Sequence, residues 1–175
     1  NRSEEALRRL PQRSIVAVID DLDGIGAVVY DLDGTLVRLD VDWGAVTEAV
    51  RGVYREAGVD DGDGSLWELM ERAPAHGLSD GVEETIAAHE REGAASSERL
   101  PAADDVHGLG VPIGVCSLNS EGACRIALER HDLLDLVDAV VGRDSTGTHK
   151  PDPGPLLETI RRIGATPGET LFVGD

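Results

Sequence analysis

Asp31-Leu32-Asp33-Gly34-Thr35-Leu36 directly follows the apolar run at 27–30. Asp31 and Asp33 alternate along extended chain, so two carboxylates reach one region with different orientations. Gly34 lets the backbone turn closely around a ligand, and Thr35 adds a hydroxyl and an N–H, so both read as phosphate-binding candidates. Three more candidates follow later apolar runs: Ser117 after Val115-Cys116, Lys150 in the loop after 137–141, and Asp175 after Phe172-Val173-Gly174. In open parallel sheets ligands bind beyond the carboxyl ends of the strands. An acid pair, a hydroxyl, an ammonium and a further acid delivered there in order make a site for phosphate and a metal ion.

Those residues need a sheet to bring them together. Residues 27–30, 111–116, 137–141 and 171–173 are short apolar runs bounded by Gly, Asp or Ser, as in strands buried on both faces. Helical patterns lie between the last three. Ala123, Cys124, Ala127 and Leu128 form one stripe. Leu156, Leu157, Ile160 and Ile163 form another, opened by Asp152 and Pro153. Thr166-Pro167-Gly168-Glu169 has the form of a capped single turn with Thr166 as N-cap. Strands alternating with helices predict an α/β fold, a Rossmann-like parallel sheet.

The long interval between the first two strands has a different pattern. Trp43, Val46, Val50, Val53, Tyr54 and Ala57 recur at helical spacing; Leu66, Trp67, Leu69 and Met70 begin a second helix; Val82, Ile86 and His89 mark a third. Asp60-Asp61-Gly62-Asp63-Gly64 lacks the ligand series of a calcium loop and reads as a polar turn. No strand pattern is visible between about 40 and 105. The division expected is an N-terminal extension at 1–26, an α/β core at 27–41 and 106–175, and an all-helical insert at 42–105.

Composition narrows the function classes. The chain of 175 residues carries 34 acidic and 16 basic side chains, a formal charge of −18, with 41% hydrophobic residues. The apolar fraction is too high for a disordered acidic tail. The negative charge argues against nucleic acid or an anionic membrane as partner. No apolar run approaches the roughly 20 residues that span a bilayer, and no signal segment opens the chain, so a cytoplasmic protein is expected. Fifteen of the 16 basic residues are Arg, and Lys150 is the only Lys. That balance is typical of proteins from salt-saturated cytoplasm, or of acidic proteins encoded by high-GC genomes. Cys116 and Cys124 make no disulfide framework and read as two buried thiols.

With these residues in place the sequence resembles the haloacid dehalogenase superfamily. Its four motifs match Asp31-Leu32-Asp33-Gly34-Thr35, then Ser117, then Lys150 before Pro151-Asp152-Pro153, then Gly174-Asp175. Two departures stand out. Leu118 intervenes between Ser117 and Asn119, where the family has Asn immediately after the hydroxyl residue. The second acid that follows the fourth motif would lie beyond Asp175; the apolar strand at 171–173 also ends with nothing after it to cover it, and on that ground the chain is read as C-terminally truncated.

The resemblance implies an enzyme, a Mg²⁺-dependent phosphatase acting on a small phosphorylated metabolite, phosphoglycolate-like or a sugar phosphate. It implies Asp31 as nucleophile and Asp33 as general acid and base. Mg²⁺ would be held by Asp31, Asp33 through its carbonyl, and Asp175. Ser117 and Asn119 would hold phosphate, Lys150 would neutralise it, and the helix after Ser117 would point its N-terminus at the same place. The insert resembles the C1-type cap of the phosphoglycolate phosphatase group. Alternatives are a phosphomutase of the same superfamily and a non-catalytic phosphate-binding regulator. A similar upstream segment, Asp21-Leu22-Asp23-Gly24, has Ile25 where Thr is wanted and reads as a turn.

Overall fold

In the computed structural model residues 24–174 are described; the expected extension therefore lies outside the described residues except for 24–26, as does Asp175. Four of the apolar runs form the main sheet. β1 is Ala27–Tyr30, and its side chains alternate between two apolar clusters: Val28 and Tyr30 on one face, Ala27 and Val29 on the other. A strand buried on both faces needs this continuous apolar run. β2 (Val37–Arg38) follows the turn at Gly34, whose φ of +82° favours glycine.

The segment read as an insert, 42–105, then begins. Helix α1 (Trp43–Glu56) is opened by Asp42, whose carboxylate accepts from the N–H groups of Gly44 and Ala45. α2 (Leu66–Arg72) starts on a capping box made by Ser65 and Glu68, which satisfies two N-terminal donors reciprocally. α3 (Ser79–Ala95) is the long helix that returns to the core. Val46, Val50, Tyr54, Leu69, Ala73, Val82 and Ile86 close a cluster of their own, separate from the clusters on the sheet. At 60–64, Gly62 donates its N–H to Asp60, the expected polar turn.

β3 (Glu98–Arg99) pairs antiparallel with β2. This corrects the expectation of no strand between 40 and 105. The pairing is only two residues long and joins positions some sixty apart, so no local alternation announces it. A short helix α4 (Ala102–Asp105) leads to β4 (Ile113–Cys116), α5 (Glu121–Arg130), β5 (Ala139–Val141), α6 (Gly154–Arg162) and β6 (Thr170–Val173). The sheet order is β5-β4-β1-β6 with every described pair parallel.

The stripe on α5 buries Ala123, Cys124, Ala127 and Leu128 as expected. On α6, Leu157 is exposed and Thr159 is buried instead. The Thr159 hydroxyl donates to the Pro155 carbonyl one turn back, so its methyl can pack beside Gly114 without leaving a polar group unpaired. At 166–169 the Thr166 hydroxyl bonds the Glu169 carboxylate, and no side chain caps the turn's backbone.

Both cysteines are free and buried. Burial, which outweighs a hydrogen bond with Ser117, pushes the Cys124 thiol from 9.0 up to about 12. Burial likewise raises Cys116, and burial and then the Asp105 carboxylate raise the Tyr30 phenol. For Cys124 the stability that comes from keeping the thiol neutral is fully present below pH 9, where the unfolded chain also holds the proton. It is lost progressively between about pH 9 and 12, because the unfolded state then binds fewer protons than the folded one. Urea midpoints of the chain should fall steeply across that window, and Cys124→Ala should flatten the fall. A variant with the parent's slope would show that the thiol is not the group being titrated.

Candidate active site

Asp31 is the first residue beyond β1, held there by its N–H donating to the Val173 carbonyl of β6 at 2.8 Å. Its Oδ1 accepts from the Leu32 N–H at 2.8 Å and lies 3.1 Å from Lys150 Nζ, whose side chain is 22% exposed. The loop after β5 thus carries the chain's only lysine onto the carboxylate at the end of β1. Lys150 Nζ also stands 5.5 Å from the centre of the Phe172 ring, an additional cation–π contact.

Asp33 accepts at Oδ1 from the Leu39 N–H at 2.9 Å, which fixes its carboxylate across the turn from Asp31. Gly34 N–H donates to the Val37 carbonyl and Thr35 N–H to the Leu32 carbonyl. The Thr35 N–H, expected as a donor to phosphate, closes the turn here together with the Gly34 N–H. Its tightness is what sets Asp31 and Asp33 at one mouth.

Ser117 follows β4 and is buried. Its hydroxyl donates to Asn119 Oδ1 at 3.0 Å and accepts from the Asn119 N–H at 3.1 Å. Asn119 Nδ2 in turn donates to Glu90 Oε1 at 3.2 Å, and the Ser120 N–H donates to Glu90 Oε2 at 2.9 Å. The extra residue Leu118 is thereby accommodated: Asn119 reaches back to Ser117 and out to α3. Two donors in the first turn of α5 are taken by the protein's own groups. The Glu121 N–H donates to Asp144, and the Ala123 N–H to the Ser120 hydroxyl, so these donors do not face the mouth as free anion ligands.

Glu90 is the group that sequence reasoning missed. Its side chain is 0% exposed, and it faces Arg143, which is 5% exposed. Arg143 Nη1 donates to Glu90 Oε1 at 2.7 Å and to the Leu118 carbonyl at 2.7 Å. Nη2 donates to Glu90 Oε2 at 3.0 Å and to Glu83 Oε1 at 2.7 Å, and Nε to Glu83 Oε2 at 3.0 Å. Every one of the guanidinium's five donors has a partner. Burial opposes the charge of Arg143, yet the hydrogen bonds it donates to Glu83 and Glu90 raise its pKa. Gly142 makes this meeting possible. A Cβ there would lie 2.2 Å from the Glu121 nitrogen and 2.7 Å from the Asn119 carbonyl oxygen, so only glycine lets the β5 exit approach the 119–121 loop. An acidic residue on a helix face carries no signal of its own. The only hint of a bound partner was the Glu83–Glu90 spacing, two turns of one helix.

A cavity of about 280 Å³ opens over these residues, with Asp31, Asp33, Ser117 and Asn119 on the sheet side. Trp43, Leu66, Trp67, Met70 and Ile86 face them from the insert. His149 is exposed beside the Trp67 ring, their centres 6.0 Å apart. Among the described residues no group of three or more His, Cys, Asp or Glu stands together as a metal site. No helix among them is long and apolar enough to cross a membrane.

Comparison with known proteins matches residues 85–175 to the family model of haloacid dehalogenase-like hydrolases. The chain is 30% identical to a phosphoglycolate phosphatase of Rhodospirillum rubrum, over 85% of this chain and 71% of that one. It is 25% identical to a phosphoglycolate phosphatase of Aquifex aeolicus, over 85% of this chain and 75% of that one. In fold it is similar to a HAD-superfamily hydrolase, subfamily IA, from Geobacter sulfurreducens, with a TM-score of 0.56 and 23% identity over 86% of this chain and 80% of that one.

Proposed function

Because the chain belongs to the haloacid dehalogenase-like hydrolases, we propose that it hydrolyses phosphate monoesters of small metabolites through an aspartyl-phosphate on Asp31. The observation that carries this reading is the Asp31–Lys150 pair, 3.1 Å apart at the β1 mouth with Asp33 and Ser117 on the same cavity. An Asp31 carboxylate oxygen attacks phosphorus as the ester P–O bond breaks. Asp33, in its acid form, gives its proton to the departing alkoxide. Water then attacks the aspartyl-phosphate, Asp33 takes a proton from that water, and inorganic phosphate leaves with Asp31 restored. A phosphate ester needs this acid because an alkoxide is a poor leaving group.

Lys150 offsets charge on the nucleophile and the transferring group, where positioning and electrostatics supply most of the catalysis. The Ser117 hydroxyl turns from Asn119 to a phosphoryl oxygen, and Asn119 stays held by Glu90. The oxygen donors present, the Asp31 carboxylate and the Asp33 carbonyl, fit Mg²⁺, which takes one or two carboxylates and keeps several waters. Asp175 would be a further ligand. Bound there, Mg²⁺ would supply positive charge beside the phosphoryl group. Residues 42–105 act as a cap that covers the cavity and limits its access to water.

The test is phosphate release from a panel of phosphomonoesters by the full chain, with Mg²⁺ and in high salt. Borohydride trapping of an acyl phosphate on Asp31 should accompany it. Folded protein that releases no phosphate from any ester, and yields no trapped acyl phosphate, overturns the reading.

A further inference from the structure

The cavity has an unusual balance of charge for a site said to act on phosphoglycolate in the curated relatives. Phosphoglycolate carries a carboxylate on its leaving group, and a second anion needs a cation or open donors near the cap side. Here three carboxylates line the cavity, Asp31, Asp33 and Glu90, and Arg143 is the one guanidinium among the lining residues described. All five of its donors are taken by Glu83, Glu90 and the Leu118 carbonyl. The insert's other arginines near this end are engaged elsewhere. Arg51 and Arg72 donate to carbonyls of the 60–64 turn, and Arg55 pairs with Glu48 and Asp61.

What the insert does offer is apolar and flat. Both tryptophans of the chain, Trp43 and Trp67, line this cavity, although they stand on different helices. They are 42% and 47% exposed, large aromatic surfaces left in water at the mouth. Leu66, Met70 and Ile86 continue the apolar wall between them. A neighbouring cavity of about 480 Å³ shares Trp67 and Met70, so a leaving group longer than two carbons has room to extend.

We infer that the site takes phosphate monoesters whose leaving group has an uncharged, apolar or aromatic body, seated against Trp43 and Trp67, in preference to esters with a second anionic group. This rests on the phosphatase reading above. Apolar contact and stacking on the indole rings stabilise such a body. An added carboxylate meets, on the walls of this cavity, the Asp33 and Glu90 carboxylates and an already satisfied guanidinium, the Lys150 ammonium being held by Asp31 at the phosphate end.

Stable phosphonates test binding apart from turnover, and the two tryptophans report it by fluorescence. The full chain with Mg²⁺ is titrated with phenethylphosphonate, propylphosphonate and 3-phosphonopropionate, the last mimicking phosphoglycolate. Phenethylphosphonate should bind about tenfold or more tightly than either of the others. Trp67→Ala, read through Trp43, should bring it down toward propylphosphonate, and Trp67→Phe should restore part of the difference. If 3-phosphonopropionate binds as tightly as phenethylphosphonate, the inference fails and the phosphatase reading stands. If no phosphonate binds, and phosphate release is also absent, both fail.

Discussion

Replacing Asp31 by Asn will lower phosphate release by about 10⁴-fold or more, the scale that follows removal of a catalytic nucleophile. The amide keeps the size of the side chain and can still accept from the Leu32 N–H, so the β1 end keeps its shape. It is a poor nucleophile, carries no charge for Lys150 to pair with, and is a weaker ligand for Mg²⁺. Circular dichroism and the urea midpoint should therefore stay close to the parent's while turnover and acyl-phosphate trapping disappear together. An Asp31→Asn protein that keeps substantial Mg²⁺-dependent turnover would remove Asp31 from the nucleophile's role.

Arg143→Met will cost about 3–5 kcal/mol of folding stability, because it leaves Glu90 buried with no opposite charge. For a domain of this size that is a fall in Tm on the order of 10 °C. The loss should be far smaller in the double variant Arg143→Met/Glu90→Leu, where no buried charge is stranded. Glu83 adds less to this loss, since its side chain is 35% exposed and water can replace the guanidinium there. The consequence for activity follows through Asn119 and Ser120, which lose the carboxylate geometry that holds them. A single Arg143→Met substitution that shifts Tm by only a degree or two would show that the Arg143–Glu90 pair does not fasten α3 to the strand exits.

Much of this molecule is legible in one dimension. A strand buried on both faces needs an unbroken apolar run, and a parallel sheet puts chemistry at the strand ends; β1, β4, β5 and β6 lie within the four runs or one residue of them. Asp31 and Ser117 directly follow their strands because those runs end there, and Lys150 stands out as the one lysine of the chain. The α5 stripe is equally plain, since helical burial repeats along contiguous sequence. What folding alone decides are the meetings of residues far apart. Arg143 finds Glu90 fifty-three positions away, β2 finds β3 across the insert, and Trp43 and Trp67 come from different helices to one cavity. Local periodicity says which face of a helix is wet or dry; it is silent on which charge will be desolvated against which partner. That choice is made by the packing of α3 against the β4 and β5 exits, and it sets what the cavity can hold.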